Sequence, residues 1–213
     1  MSDHFLTSGS APGLMQRFAI RALALFGWRV SFAAPPGPRG VIIVYPHTSN
    51  WDFIVGLLAK WAMGIQLKWL GKESLFRGVG GTILGPFFRA CGGEPIERNA
   101  SVGAIQRLAT RMKAADYYWL ALAPEGTRKY RDTWRSGFYH VALTAGVPLG
   151  VACIDYRTRQ IRLVHYLMLS GDVEADLSGI REVYQGCRGL NPECASPINL
   201  AVKEQREQHA LTP

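Results

Sequence analysis

His47 and Asp52, separated by Thr48-Ser49-Asn50-Trp51, are the two residues whose types and spacing could do acid–base chemistry. An imidazole is the side chain best suited to take a proton near neutral pH. A carboxylate beside it fixes the tautomer and stabilises the imidazolium that forms. Their separation is too long for one helical turn. It fits a histidine in the loop before a helix and an aspartate in that helix's first turn, where the helix N-terminus favours negative charge. Alone, such a pair is more often a histidine satisfied by a local cap. Here it directly follows Val41-Ile42-Ile43-Val44, an apolar run that reads as a buried strand.

A second polar cluster, Pro124-Glu125-Gly126-Thr127-Arg128, follows another apolar run, Tyr118 to Ala123. Proline stops a strand, and glycine permits an unusual backbone angle or close approach by a ligand. Arg128 can fork onto a phosphate or carboxylate. Glu125 can anchor that arginine, bind a substrate hydroxyl or hold the loop. Taken alone, this cluster is a surface turn. Two strands that both deliver ionisable residues at their exits suggest one active site at the carboxyl edge of an α/β sheet. Lys72, after Gly71, and Arg98, in Pro95-Ile96-Glu97-Arg98, add further cations. With Arg128 they make a pocket for one anionic group, provided they converge.

The elements that must position these residues alternate. The strand over 41–44 precedes a helix from about Trp51 to Met63, with Ser49 or Asn50 as its cap. A short strand is expected over 66–70, a helix with its apolar stripe at Val102, Ile105, Leu108, Ala109 and Met112, and a helix over 137–145. Strands are expected over 147–154 and 161–169, and a late helix carries Leu177 and Ile180. This pattern implies a single α/β domain, a mostly parallel sheet flanked by helices, with an N-terminal amphipathic helix. Residues 1–13 read as disordered. Residues 14–33 read as one helix in which Leu14, Met15, Phe18, Leu25 and Phe26 interleave with Arg17, Arg21 and Arg29. Such a helix either packs on the domain or lies in a membrane interface. The catalytic domain is expected over 39–189 and a peripheral tail over 190–213.

The 213 residues suit one domain with a sizeable core, and 48% apolar against 19% charged residues is a globular composition. A net charge of +8 favours an anionic partner without choosing one. Cys91, Cys153, Cys187 and Cys194 are scattered with no metal-like spacing. Cys153 reads as a small core residue, and reduced thiols in a cytosolic setting are expected. No signal peptide and no spanning run is evident. There is no G-x-S-x-G elbow, no P-loop and no RNA-recognition signature, so hydrolase, nucleotide-binding and nucleic-acid readings lack their residues.

The ordered set of clusters resembles the glycerolipid acyltransferases, the family of 1-acylglycerol-3-phosphate acyltransferase. His47 and Asp52 match its HxxxxD motif, Gly93 to Arg98 resembles its second block, and Pro124 to Arg128 matches PEGTR. Val147-Pro148-Leu149 resembles its late Val-Pro-Ile strand, and Trp134 to Phe138 the basic-Gly-aromatic segment after PEGTR. Glu97 departs from the usual Asp, and Lys129 from the common serine. The resemblance implies acyl transfer from acyl-CoA or acyl carrier protein to the hydroxyl of a lysophospholipid-like acceptor. His47 and Asp52 would be catalytic. Lys72, Arg98, Glu125, Gly126, Thr127 and Arg128 would bind substrate. No metal or cofactor beyond the thioester co-substrate is implied, and nucleic acid is not expected. A peripheral place on the inner face of the cell membrane follows. An acceptor without phosphate, such as an amino-lipid, and a non-catalytic basic lipid-binding module are the alternatives.

Overall fold

A computed structural model describes residues 13–76, 78–96 and 102–200. Seven strands form one sheet: β1 (Arg29–Phe32), β2 (Arg39–Tyr45), β3 (Lys68–Lys72), β4 (Gly93–Ile96), β5 (Tyr118–Leu122), β6 (Leu149–Asp155) and β7 (Gln160–Leu167). Their order is β1-β7-β6-β2-β5-β3-β4. The five strands from β6 to β4 run parallel, and β7 turns back antiparallel on β6 with β1 parallel beside it. Among the described residues, six α-helices pack with the sheet: α1 (Leu14–Leu25), α2 (Trp51–Met63), α3 (Gly78–Ala90), α4 (Val102–Ala114), α5 (Gly137–Ala145) and α6 (Val173–Val183).

The sheet is covered on both faces, which explains the unbroken apolar runs Val41–Val44 in β2, Tyr118–Leu122 in β5 and Val151–Ile154 in β6. Val41 and Ile43 face a cluster with Leu120, Leu149, Met112, Phe138 and Leu177, beneath α4, α5 and α6. Ile42, one residue out of phase, joins Trp119, Ala121, Ala152, Ile154 and Ala59 beneath α1 and α2. Gly40 of β2 pairs with Trp119 of β5 and has no room for a side chain, because a Cβ there would lie 2.2 Å from the Trp119 ring.

Three expectations need correction. The helix expected over 14–33 ends at Leu25. Gly27 takes a left-handed φ of 72°, Trp28 N donates to Leu23 O, and the chain leaves as β1. Ala19 and Leu23 pack on the domain, while Leu14 and Leu25 are 87% and 81% exposed. The segment after 190 is not peripheral, since Ser196 and Leu200 are buried. Cys153 is buried, but it is disulfide-bonded to Cys187 and not a free core thiol. The expected disordered stretch lies outside the described residues except for Gly13, as do residues 201–213 of the tail. No helix among the described residues is long and apolar enough to cross a membrane.

Candidate active site

The sheet register brings the two motif loops together. β2 and β5 are parallel neighbours with Ile43 opposite Leu122, so His47 and Gly126 each follow four residues beyond a matched pair. The strand order also places β6 on the other side of β2, so a third strand exit opens onto the same edge.

The first loop folds back on its own aspartate. Asp52 sits in the first turn of α2, and its Oδ2 accepts hydrogen bonds from Thr48 N at 2.7 Å and Ser49 N at 2.8 Å. The same oxygen lies 3.2 Å from His47 Nδ1. Oδ1 accepts from the Tyr156 hydroxyl at 2.7 Å. The Asp52 side chain is 1% exposed and that of His47 22%, so the carboxylate is sealed while the ring reaches solvent. With Nδ1 turned to Asp52, Nε2 is the ring nitrogen left for the cleft. Of the two expected side-chain caps, Ser49 and not Asn50 supplies the hydrogen bond. Asn50 makes no capping hydrogen bond, and Ser49 Oγ accepts from Trp51 N at 3.1 Å.

The second loop is held by Glu125. One carboxylate oxygen accepts from His47 N at 2.6 Å and the other from Ser196 N at 2.9 Å. Glu125 has no exposed surface. Burial pushes its carboxyl above the ordinary carboxylate range, opposed by the two backbone donors and by His47. Glu125 therefore corrects the expectation of a substrate contact: both oxygens are engaged, and the residue ties the PEGTR loop to the HxxxxD loop. Gly126 adopts φ 66°, and a Cβ there would lie 2.7 Å from Arg135 Nε, so the arginine crosses the loop where only glycine fits. The Gly126 N–H is committed to Ala123 O. Thr127 Oγ1 accepts from Lys129 N at 3.3 Å.

One cavity of about 1540 Å³ collects these groups. His47 and Asp52 line it together with Gly126, Thr127, Arg128 and Arg135. Arg128, Lys129 and Arg135 are exposed cations on that wall, whereas Arg111, also lining it, is paired with Glu94. Apolar side chains of α2 and its surroundings, including Phe53, Leu57, Trp69 and Phe88, line the rest. Lys72 ends β3, and nothing is described of its side chain. Arg98 lies outside the described residues. Of the three cations expected to converge, Arg128 is the one whose side chain is described, and it lines the cavity with His47.

Sequence reasoning missed the residues that brace the loops. Tyr156 begins the turn after β6. Asn191 N donates to Thr48 Oγ1 at 3.2 Å, and Asn191 Nδ2 to Thr48 O at 2.9 Å. Ser196 Oγ accepts from Arg131 N at 3.1 Å, and Trp134 N donates to Asn199 O at 2.8 Å. The segment from Arg188 to Leu200 thus straps both motif loops. Arg135 was visible only as part of the basic-Gly-aromatic segment.

These features define a class, an α/β enzyme with an open cleft at the carboxyl edge of its sheet, lined by a histidine–carboxylate pair and by cations. A family model described as acyltransferase matches residues 33–154, more than half of the chain. The chain belongs to that family and is an O-acyltransferase of the glycerolipid acyltransferase kind, as the order of its motif blocks implied. The crystal structure of the 1-acyl-sn-glycerophosphate (LPA) acyltransferase PlsC from Thermotoga maritima shares the fold, with a TM-score of 0.52 and 18% identity. It covers 79% of this chain and 74% of that chain. No curated protein matches the chain at a significant level.

Proposed function

We propose that the protein transfers a fatty acyl group from an acyl thioester, acyl-CoA or acyl carrier protein, to the hydroxyl of a lysophospholipid-like acceptor such as 1-acylglycerol-3-phosphate. The observation that carries this reading is the joint lining of one cavity by the His47–Asp52 pair and by Arg128 of the PEGTR loop. The fold neighbour is named for the same acceptor class. In this mechanism His47 Nε2 takes the proton of the acceptor hydroxyl as the oxygen attacks the thioester carbonyl. An oxygen–carbon bond forms, the carbon–sulfur bond of the tetrahedral intermediate breaks, and the imidazolium returns the proton to the leaving thiolate. No enzyme nucleophile is required. Asp52 holds the ring and its charge. Donors to the oxyanion are sought among the backbone N–H groups that follow Gly126, since the Gly126 N–H is itself engaged. Arg128, with Arg98 and Lys72, takes the acceptor phosphate, and the apolar wall formed by Phe53, Leu57, Trp69 and Phe88 receives an acyl chain.

Both substrate and product are amphiphiles, which gives the exposed stripe of α1 a use. Leu14, Phe18 and Leu25 enter the acyl boundary of a membrane surface while Arg17 and Arg21 meet anionic headgroups, each worth about 1 kcal/mol there. The test is an assay of purified protein against a panel of lyso-lipids with both thioester donors. Transfer to phosphate-bearing acceptors, and an acceptor KM raised about tenfold or more in Arg128→Ala, supports the reading. Equal turnover of a phosphate-free lyso-lipid, with no change of KM in that variant, overturns the phosphate assignment. Lipid binding without turnover of any acceptor overturns the catalytic one.

A further inference from the structure

We propose that Tyr156 is a positioning residue for this reaction: its hydroxyl fixes the Asp52 carboxylate in the orientation that meets the imidazole. The inference rests on the reading of His47 as the base. Asp52 has two oxygens with unequal duties. Oδ2 is occupied by Thr48 N and Ser49 N and is the oxygen that faces His47 Nδ1. Oδ1 is held by Tyr156 at 2.7 Å, and no other hydrogen bond to it exists among the described residues. With the Asp52 side chain 1% exposed, water has little access to replace a lost hydroxyl. Removing it leaves a buried carboxylate oxygen unpaired, which favours rotation of the group away from the ring.

Tyr156 is built for one orientation. Its ring meets the edge of Trp28 at 4.9 Å and 87°, and its backbone N donates to Arg188 O at 2.9 Å. It follows β6, the neighbour of β2, so the donor and the HxxxxD loop emerge from adjacent strands of a rigid sheet. Burial first, then the hydrogen bond to Asp52 and last its charge, raise the phenol far above its ordinary range, so the hydroxyl keeps its proton and remains a donor. A purely structural tether would also show these contacts. The distinction is whether Tyr156 acts through Asp52, and only a kinetic coupling reads that.

The experiment is a double-mutant cycle on the full chain with 1-acylglycerol-3-phosphate and acyl-CoA, using Tyr156→Phe, Asp52→Asn and the double variant, with His47→Ala beside them. Asp52→Asn backgrounds are read by single turnover with enzyme in excess. Tyr156→Phe is expected to lower kcat about tenfold with both KM values within about twofold of wild type. In the Asp52→Asn background the same change is expected to cost less than about twofold, because the oriented carboxylate is already gone. Wild-type kcat in Tyr156→Phe, or an equal loss in both backgrounds, overturns the inference. If Tyr156→Phe does not fold, Trp28→Leu keeps the hydroxyl but frees the ring. It is expected to lower kcat about threefold, again only when Asp52 is present, and an equal loss in both backgrounds refutes the proposal. Undiminished turnover in His47→Ala overturns the base assignment itself. An inactive His47→Ala beside a fully active Tyr156→Phe overturns only the role of the tyrosine.

Discussion

The chain beyond β2 and the chain beyond β5 each carry a buried carboxylate near His47, Asp52 in the first turn of α2 and Glu125 in the PEGTR loop, and the two do different work. Asp52 takes two backbone N–H groups on one oxygen, keeps that oxygen against the imidazole, and lines the cleft. Glu125 also takes two backbone N–H groups, one of them from His47 itself, but has no exposed surface and reaches no imidazole nitrogen among the described contacts. One carboxylate is aimed at a side chain that changes charge, and the other at amides that do not. Membership in a motif therefore does not assign a role. Which atoms of a carboxylate are already satisfied does.

The largest test of that contrast is His47→Ala. It is expected to lower kcat about 10²–10⁴-fold with the fold retained, since a positioned base contributes that much. Circular dichroism and steady-state assays check it, and wild-type-like turnover would remove the base from the mechanism. Glu125→Ala is expected to act on stability first. It strands the His47 and Ser196 amides, each worth about 1–3 kcal/mol, so the loss is about 2–6 kcal/mol in chemical denaturation. A Glu125→Ala protein as stable as wild type would erase the distinction between the loops.

Glu125 also sets a pH dependence with a definite sign. Its folded carboxyl binds protons more tightly than the unfolded value of 4.5. As pH rises from that value to the raised folded one, the unfolded chain gives up a proton that the folded chain keeps. Stability from this group is therefore fully present at low pH and is lost across that window. Relative to Glu125→Gln, whose amide does not titrate, the wild type is expected to gain stability as pH falls through the window. A difference that is flat with pH would contradict the burial-driven shift.

Much of this was legible in the sequence because it is local. Val41 to Val44 and Tyr118 to Ala123 are apolar at consecutive positions, as strands buried on two faces must be, and each ends in a polar cluster. The hidden parts are long-range. Tyr156 lies 104 residues from Asp52, Asn191 143 from Thr48, and Ser196 71 from Glu125, so no periodicity relates them. The pairing of Cys153 with Cys187 across 34 residues is equally invisible to spacing. β1 was obscured because Phe26, Trp28, Val30 and Phe32 continue the apolar character of α1, although their alternation and Gly27 mark the change of period. In α1 the large apolar residues are exposed, and the packed face is carried by Ala19 and Leu23, too small a pair to mark a buried stripe by themselves.

The smaller effects separate the braces from the loops they hold. Gly126→Ala forces a side chain into a left-handed backbone and against Arg135. It is expected to cost about 1–2 kcal/mol in stability and to raise acceptor KM, since Arg128 follows two residues on. Asn191→Ala should do less. It removes the Nδ2 hydrogen bond to Thr48 O, keeps the backbone N–H that donates to Thr48 Oγ1, and leaves Asp52 with Thr48 N, Ser49 N and Tyr156. The expected outcome is about 1 kcal/mol of stability and a kcat within about threefold of wild type. If Asn191→Ala instead lowered kcat as far as Asp52→Asn, the His47 loop would depend for its geometry on the strap and not on its own aspartate. The contrast between a self-organised first loop and an externally tied second one would then have to be reversed.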